Sequence, residues 1–157
     1  MVLPLLTRLD HAGIACRDLD KTIELYRTTF GLEVVSLEVN EEQGVREAML
    51  AVGPDAALAV AGGRPGYVQL LEPLGPDTPV GKFLARRGEG IHHIGYGVTN
   101  ITEAMAAISA TSGGSGVGVR LIDQRPRHGS MGASIAFLHP ADLGGVLTEL
   151  VQSASSA

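Results

Sequence analysis

Leu9-Asp10-His11-Ala12-Gly13-Ile14-Ala15-Cys16 and, at an offset of 82, Ile91-His92-His93-Ile94-Gly95-Tyr96-Gly97-Val98 are the two stretches that decide the fold. Each reads as a strand opening on a histidine and followed by a helix start, Asp18 in the first case and Asn100 in the second. The same offset carries Leu19 onto Ile101 and Ile23 onto Met105, so the two helices present their apolar stripes in one register. Leu19, Ile23, Tyr26 and Phe30 make the first stripe, stopped by Gly31; Ile101, Met105 and Ile108 make the second.

Working outward, the chain becomes β-branched after Glu33, breaks at Glu41-Glu42-Gln43-Gly44 and resumes over 45–52, a hairpin pattern. Two more strands are expected at Ala56 to Ala61 and Tyr67 to Leu71, with Gly62-Gly63-Arg64-Pro65-Gly66 as the turn between them. A short amphipathic helix around Val80, Phe83 and Leu84 ends the first half at Gly88. Near the end of each half, Val68-Gln69-Leu70 corresponds to Thr148-Glu149-Leu150 at an offset of 80, a drift that loop length absorbs. The expectation is an α+β chain of two tandem βαβββ modules, about 7–73 and 90–152, forming one domain over 1–157. Thr111 to Gly116 reads as a flexible connection inside the second module.

Composition narrows the function classes. The 157 residues are 45% hydrophobic and 18% charged, which suits a folded chain with an apolar core rather than a disordered one. Twelve Lys and Arg against 17 Asp and Glu give a formal charge of −5. The longest basic run is Arg86-Arg87, so no electrostatic footprint for nucleic acid exists. Six Phe and Tyr with no Trp offer no platform for stacking bases. No apolar run approaches the roughly 20 residues of a bilayer span. The opening Met1 to Thr7 falls far short of a signal core, so the expected location is cytoplasmic, without membrane association. The lone cysteine, Cys16, lies in an apolar run and reads as a small buried hydrophobe.

The residues that could carry chemistry follow the repeat. Each module brings a histidine on its first strand and an oxygen donor on its last: His11 with Gln69, His93 with Glu149. Two imidazoles, an amide oxygen and a carboxylate suit a divalent first-row metal with positions left open for substrate. Singly, each has a plainer explanation. A strand histidine is commonly a hydrogen-bonded structural residue, and Gln69 or Glu149, alternating with apolar neighbours, could simply face solvent. Of the doublet, the repeat selects His93, because adjacent strand residues face opposite sides; His92 is then a packing residue. His139 before Pro140 reads as a turn residue, and His128 as a loop residue bordering a pocket; neither is assigned to the metal. Glu47 alternates onto the face of Val45 and Met49, where a desolvated carboxylate would have the raised pKa of a proton-abstracting base; an exposed strand glutamate is the alternative.

With Leu9-Asp10-His11-Ala12-Gly13-Ile14-Ala15, Glu42-Gln43-Gly44-Val45-Arg46-Glu47, Val68-Gln69-Leu70-Leu71-Glu72-Pro73, Gly90-Ile91-His92-His93-Ile94, Ala136-Phe137-Leu138-His139-Pro140 and Gly145-Val146-Leu147-Thr148-Glu149-Leu150 in this order, the chain resembles the vicinal oxygen chelate (glyoxalase/bleomycin resistance/dioxygenase) superfamily. Within it, the resemblance is to the methylmalonyl-CoA epimerase family, over roughly Leu9 to Gln152. That resemblance implies a curved mixed sheet, a half-barrel, around one metal held at His11, Gln69, His93 and Glu149. It implies Glu47 and Glu149 as the catalytic acid/base pair, cobalt(II) as the favoured metal with zinc, manganese or nickel possible, and a homodimer. The reaction implied is interconversion of the (R) and (S) forms of methylmalonyl-CoA through an enolate at C2.

One departure stands out: Gly132-Ala133-Ser134 is neutral where many family members carry a basic residue, which keeps ethylmalonyl-CoA open as substrate. Other readings are a glyoxalase I-like lyase, an extradiol dioxygenase, against which Gln69 and Glu47 argue, and a non-catalytic small-molecule binder, against which the full ligand set and few aromatics argue.

Overall fold

The computed structural model describes residues 5–53, 65–111 and 118–154. The strand expected at Ala56 to Ala61, most of the turn after it, and all but the first residue of the Thr111 to Gly116 connection lie outside these residues. The chain divides into two compact units, His11–His92 and a second made of His93–Ala157 with Met1–Asp10.

In the first unit, strand β1 (Arg8–Ala15) is followed by helix α1 (Leu19–Phe30), strands β2 (Val34–Asn40), β3 (Val45–Val52) and β4 (Gly66–Pro73), and helix α2 (Pro79–Arg87). The strands lie in the order β2-β3-β4-β1, antiparallel except for the parallel β4/β1 pair. That is the expected βαβββ order.

Helix α1 begins where Asp18 accepts from the Lys21 N–H at 3.0 Å, and ends at Gly31, left-handed at φ 70°, whose N–H donates to the Arg27 carbonyl. Its apolar side covers Ala48, Leu50 and Leu70, with Cys16 and Leu19 fully buried beneath and Ile23 and Tyr26 at the margin. Burying a side chain such as Leu70 contributes about 1.5–3 kcal/mol. Phe30 departs from the expected stripe: it is exposed at the helix end, its ring 5.6 Å from that of Tyr26. Because strand residues alternate, the other face of β3 and β4 carries Val45, Glu47, Met49, Gln69 and Leu71. Helix α2 covers one end of that face, packing Val80 and Leu84 on Ala15, Val45 and Leu71.

The second unit repeats the plan with β5 (Gly90–Gly97), α3 (Ile101–Thr111), β6 (Arg127–His128), β7 (Ser134–Leu138) and β8 (Thr148–Gln152), ordered β5-β8-β7-β6 with β5/β8 parallel. Asn100 caps α3 by accepting from the Glu103 N–H at 3.0 Å. Ile101, Ala104 and Met105 pack on Ala136, Leu138 and Leu150. Thr7 joins this unit, its N–H bonded to the Gly97 carbonyl at 2.8 Å. A Cβ at Gly97 would lie 2.6 Å from the Arg8 Cγ, so glycine is what lets the opening segment pass so close.

The repeat extends to a detail that periodicity does not show. The first N–H of α1, on Leu19, donates to Glu72 Oε2 at 2.7 Å, and the first N–H of α3, on Ile101, donates to Gln152 Oε1 at 2.9 Å. Each module thus ties its helix to its last strand through a side chain at the same place.

Candidate active site and metal ligands

In the first unit, the parallel β1/β4 register sets Gly13 opposite Gln69, which places His11, two residues along, on the same face as Gln69. The antiparallel β3/β4 register sets Met49 opposite Gln69 and Glu47 opposite Leu71, one step along. His11, Gln69 and Glu47 are all buried, Glu47 only 3% exposed. The Gln69 Nε2 donates to Glu47 Oε2 at 3.0 Å. This bond does two things: it offsets the burial of a carboxylate, and it turns the amide so that its oxygen, the end that binds metals, points away from Glu47. The Glu47 expected from sequence on an apolar face is therefore on it, and not on an exposed strand surface.

In the second unit the corresponding register sets Gly95 opposite Glu149, with His93 two residues back on the same face. Both are buried, at 3% and 4% exposure. The His93 Nε2 lies 3.7 Å from Glu149 Oε2, longer than a hydrogen bond and a spacing suited to two donors that share a cation. Phe137 lies opposite Glu149 on β7, and its ring stands edge-on to the His93 imidazole, 5.6 Å between centroids and 88° between planes. Two buried imidazoles, a carboxylate and an oriented amide oxygen are a set of donor types that fits a divalent first-row metal.

The remaining candidates fall outside this set. His92 faces the other way and meets the Phe83 ring of α2 edge-on at 5.1 Å; burial lowers its pKa to about 4. Burial raises the Cys16 thiol to about 11, with a contact to the Leu71 carbonyl at 3.5 Å, which makes it a core residue and no nucleophile. His139 Nδ1 accepts from the Ala141 N–H, capping a short turn, in keeping with the role expected before Pro140. His128 is an exposed residue of β6. Sequence reasoning passed over Asp123, a buried carboxylate bonded to the Phe137 N–H; it lies in an irregular segment where no periodicity marks it.

The model of the Glyoxalase/Bleomycin resistance protein/Dioxygenase superfamily matches residues 10–137, and the chain belongs to that superfamily. Within it, the chain is similar to a Streptomyces coelicolor methylmalonyl-CoA epimerase variant solved in complex with 2-nitronate-propionyl-CoA, at 51% identity and a TM-score of 0.85, covering 96% of this chain and 99% of that one. A methylmalonyl-CoA epimerase solved with methylmalonyl-CoA and NH4+ is 51% identical, with a TM-score of 0.84 and 96% of each chain covered. The ethylmalonyl-CoA/methylmalonyl-CoA epimerase of Cereibacter sphaeroides is 33% identical over 92% of this chain and 97% of its own.

Proposed function

We propose that this protein is a methylmalonyl-CoA epimerase, a single domain of two βαβββ modules that exchanges the C2 proton of a malonyl-type thioester and returns it to either face. The observation that carries this reading is Glu47: a buried carboxylate, held by Gln69 on the face that bears the ligand candidates, is a group placed to take up and give back a proton.

His11, Gln69, His93 and Glu149 would hold one divalent cation, with cobalt(II) favoured and zinc, manganese or nickel as alternatives. Bound there, the cation would supply Lewis acidity toward the thioester carbonyl and the free carboxylate of the substrate, stabilising the enolate. The chain's own residues do the rest. Glu47 Oε1 or Oε2 takes the C2 proton of one epimer, leaving its electron pair in the enolate, and Glu149, which enters this half of the cycle as the protonated acid, gives its own proton to the opposite face and is left as the carboxylate. In the reverse direction the roles exchange. The Gln69 amide, bonded to Glu47, fixes the carboxylate's position through the cycle.

The substrate is methylmalonyl-CoA, with ethylmalonyl-CoA as the alternative. A homodimer in the cytoplasm completes the proposal; among the described residues no helix is long and apolar enough to cross a membrane. The test is NMR-detected exchange of the C2 proton of methylmalonyl-CoA in D2O, with metal-free protein and with protein reconstituted with cobalt(II). Metal-dependent exchange is expected. Absence of exchange in folded, metal-loaded protein overturns the assignment and favours a glyoxalase-type or binding role.

A further inference from the structure

We infer that Asp123 and Phe137 are positioning residues, a two-part clamp that fixes the His93 imidazole against Glu149. This rests on the reading of His93 and Glu149 as a ligand pair.

Phe137 touches both members of the pair. Its backbone is the cross-strand neighbour of Glu149, and its ring meets the His93 imidazole at near right angles. Such an edge-on contact restricts rotation of the imidazole about χ2, and so decides which ring nitrogen faces Glu149. Whether Phe137 can do this depends on how firmly its own backbone is held.

It is held from both sides. On one flank β7 pairs with β8. On the other, the Phe137 carbonyl accepts from the Ile122 N–H at 2.8 Å, and the Phe137 N–H donates to Asp123 Oδ2, also at 2.8 Å. A neighbouring strand would offer a backbone carbonyl to that N–H. Here a carboxylate takes its place, and a charged acceptor makes the stronger bond. Asp123 is itself buried, with Oδ1 3.4 Å from Arg127 Nη1, so the carboxylate that grips Phe137 is braced by a cation on β6. Nearby, Leu121 bridges to Leu138 and the His139 N–H reaches the Arg120 carbonyl, which keeps this segment in register along β7.

The chain of contacts is thus Arg127 to Asp123 to the Phe137 backbone to the Phe137 ring to the His93 ring. A clamp that acts on a ligand through its neighbour changes metal affinity by about 10–100-fold when removed.

Three variants separate the clamp from general stability: Asp123→Ala, which removes both bonds; Asp123→Asn, whose amide oxygen can still accept the Phe137 N–H; and Phe137→Leu, which keeps the strand and most of the volume. The first readout is the ring-nitrogen shifts of His93 in metal-free protein by NMR, which report its tautomer without relying on the ring current that Phe137→Leu itself removes. The second is cobalt(II) titration followed by visible absorption, with thermal unfolding as the control for folding. Asp123→Ala and Phe137→Leu should shift the His93 signals toward averaged values and weaken cobalt(II) by about 10–100-fold, with Asp123→Asn restoring most of both. Unchanged His93 signals in folded Asp123→Ala or Phe137→Leu protein overturn the clamp. If the signals move as expected while the parent protein takes up no cobalt(II), the clamp stands and the metal-site reading fails.

Discussion

The two modules share a backbone plan and differ in what they can hold. Gly13 opposite Gln69 and Gly95 opposite Glu149 are the same pairing, and Met49 and Phe137 occupy the same place on the third strand of each unit. One step along, the first unit has Glu47 opposite Leu71, whereas the second has Ile135 opposite Val151. The reason lies in the neighbouring donor. Gln69 brings an amide N–H that can donate to a buried carboxylate, and it does. Glu149 has no side-chain N–H to offer, so a second carboxylate beside it would lack the amide hydrogen bond that Gln69 gives Glu47. The two modules share a scaffold, and the choice between amide and carboxylate at one position decides which of them can hold a hydrogen-bonded, buried carboxylate beside it.

The comparison can be broken most sharply at that step. Glu47→Ala should lower C2 proton exchange by about 10²–10⁴-fold, the usual contribution of a positioned acid/base group, and should weaken cobalt(II) by at most about 10–100-fold through loss of the bond that orients Gln69, so saturating cobalt(II) should not restore exchange. Ile135→Ala, its counterpart, should cost stability and little of the proton transfer. Equal losses of exchange in the two variants would show that the modules are not chemically distinct.

A second test builds the missing carboxylate. Ile135→Glu should destabilise the protein by about 3–5 kcal/mol, the cost of a buried charge without a partner, as read by urea denaturation at neutral pH. Combining it with Glu149→Gln should recover part of that loss, because the new amide could donate to the introduced carboxylate as Gln69 donates to Glu47. No recovery would mean that the asymmetry comes from packing and not from the hydrogen-bond donor.

The helix ties offer a smaller contrast. Glu72 meets the Leu19 N–H with a charged oxygen and Gln152 meets the Ile101 N–H with a neutral one. Glu72→Ala should therefore cost about 1.5–3 kcal/mol and Gln152→Ala about 0.5–1.5 kcal/mol. The order of the two melting temperatures checks this.

The smallest effect is one of pH. His92 titrates near 4 in the folded protein against an ordinary value of 6.5, because burial disfavours its charged form. Unfolded chains take up this proton as pH falls past about 6.5 while the folded protein does not, so the His92 contribution is complete above that value and is lost between about pH 6.5 and 4. His92→Phe, which keeps an aromatic contact with Phe83, should flatten the fall in melting temperature over that window. At the corresponding place in the repeat stands Asp10, so this histidine is found in one half of the repeat and not in the other.

Much of this was legible in the sequence wherever side chains alternate or recur. The strands at 9–16 and 91–98, the Asp18 and Asn100 caps, the Gly31 stop and the face assigned to Glu47 all follow from period and cap chemistry, and they match β1, β5, α1, α3 and β3 to within a residue or two. Phe30 misled because it closes its helix past the last turn that reaches the sheet. Asp123 was invisible for a different reason. It works through a backbone N–H fourteen residues away in an irregular segment, and no pattern of hydrophobicity encodes such a bond. The Glu47–Gln69 bond was likewise out of reach, since it joins two strands at a diagonal that only the register reveals.

The bond from Thr7 to Gly97 also sets a timetable. Thr7 is made before its partner, which follows 90 residues later, about 4.5–18 s at ordinary rates of synthesis. During that interval the first unit, contiguous from His11 to His92, has already been made in full, while Thr7 waits with an unpaired N–H and the exposed Leu5, Leu6 and Leu9 around it. The nascent chain therefore holds an unpaired Thr7 N–H until Gly97 emerges to accept it, and a pause in translation anywhere between them lengthens the time for which that backbone is open to a chaperone or to a neighbouring chain.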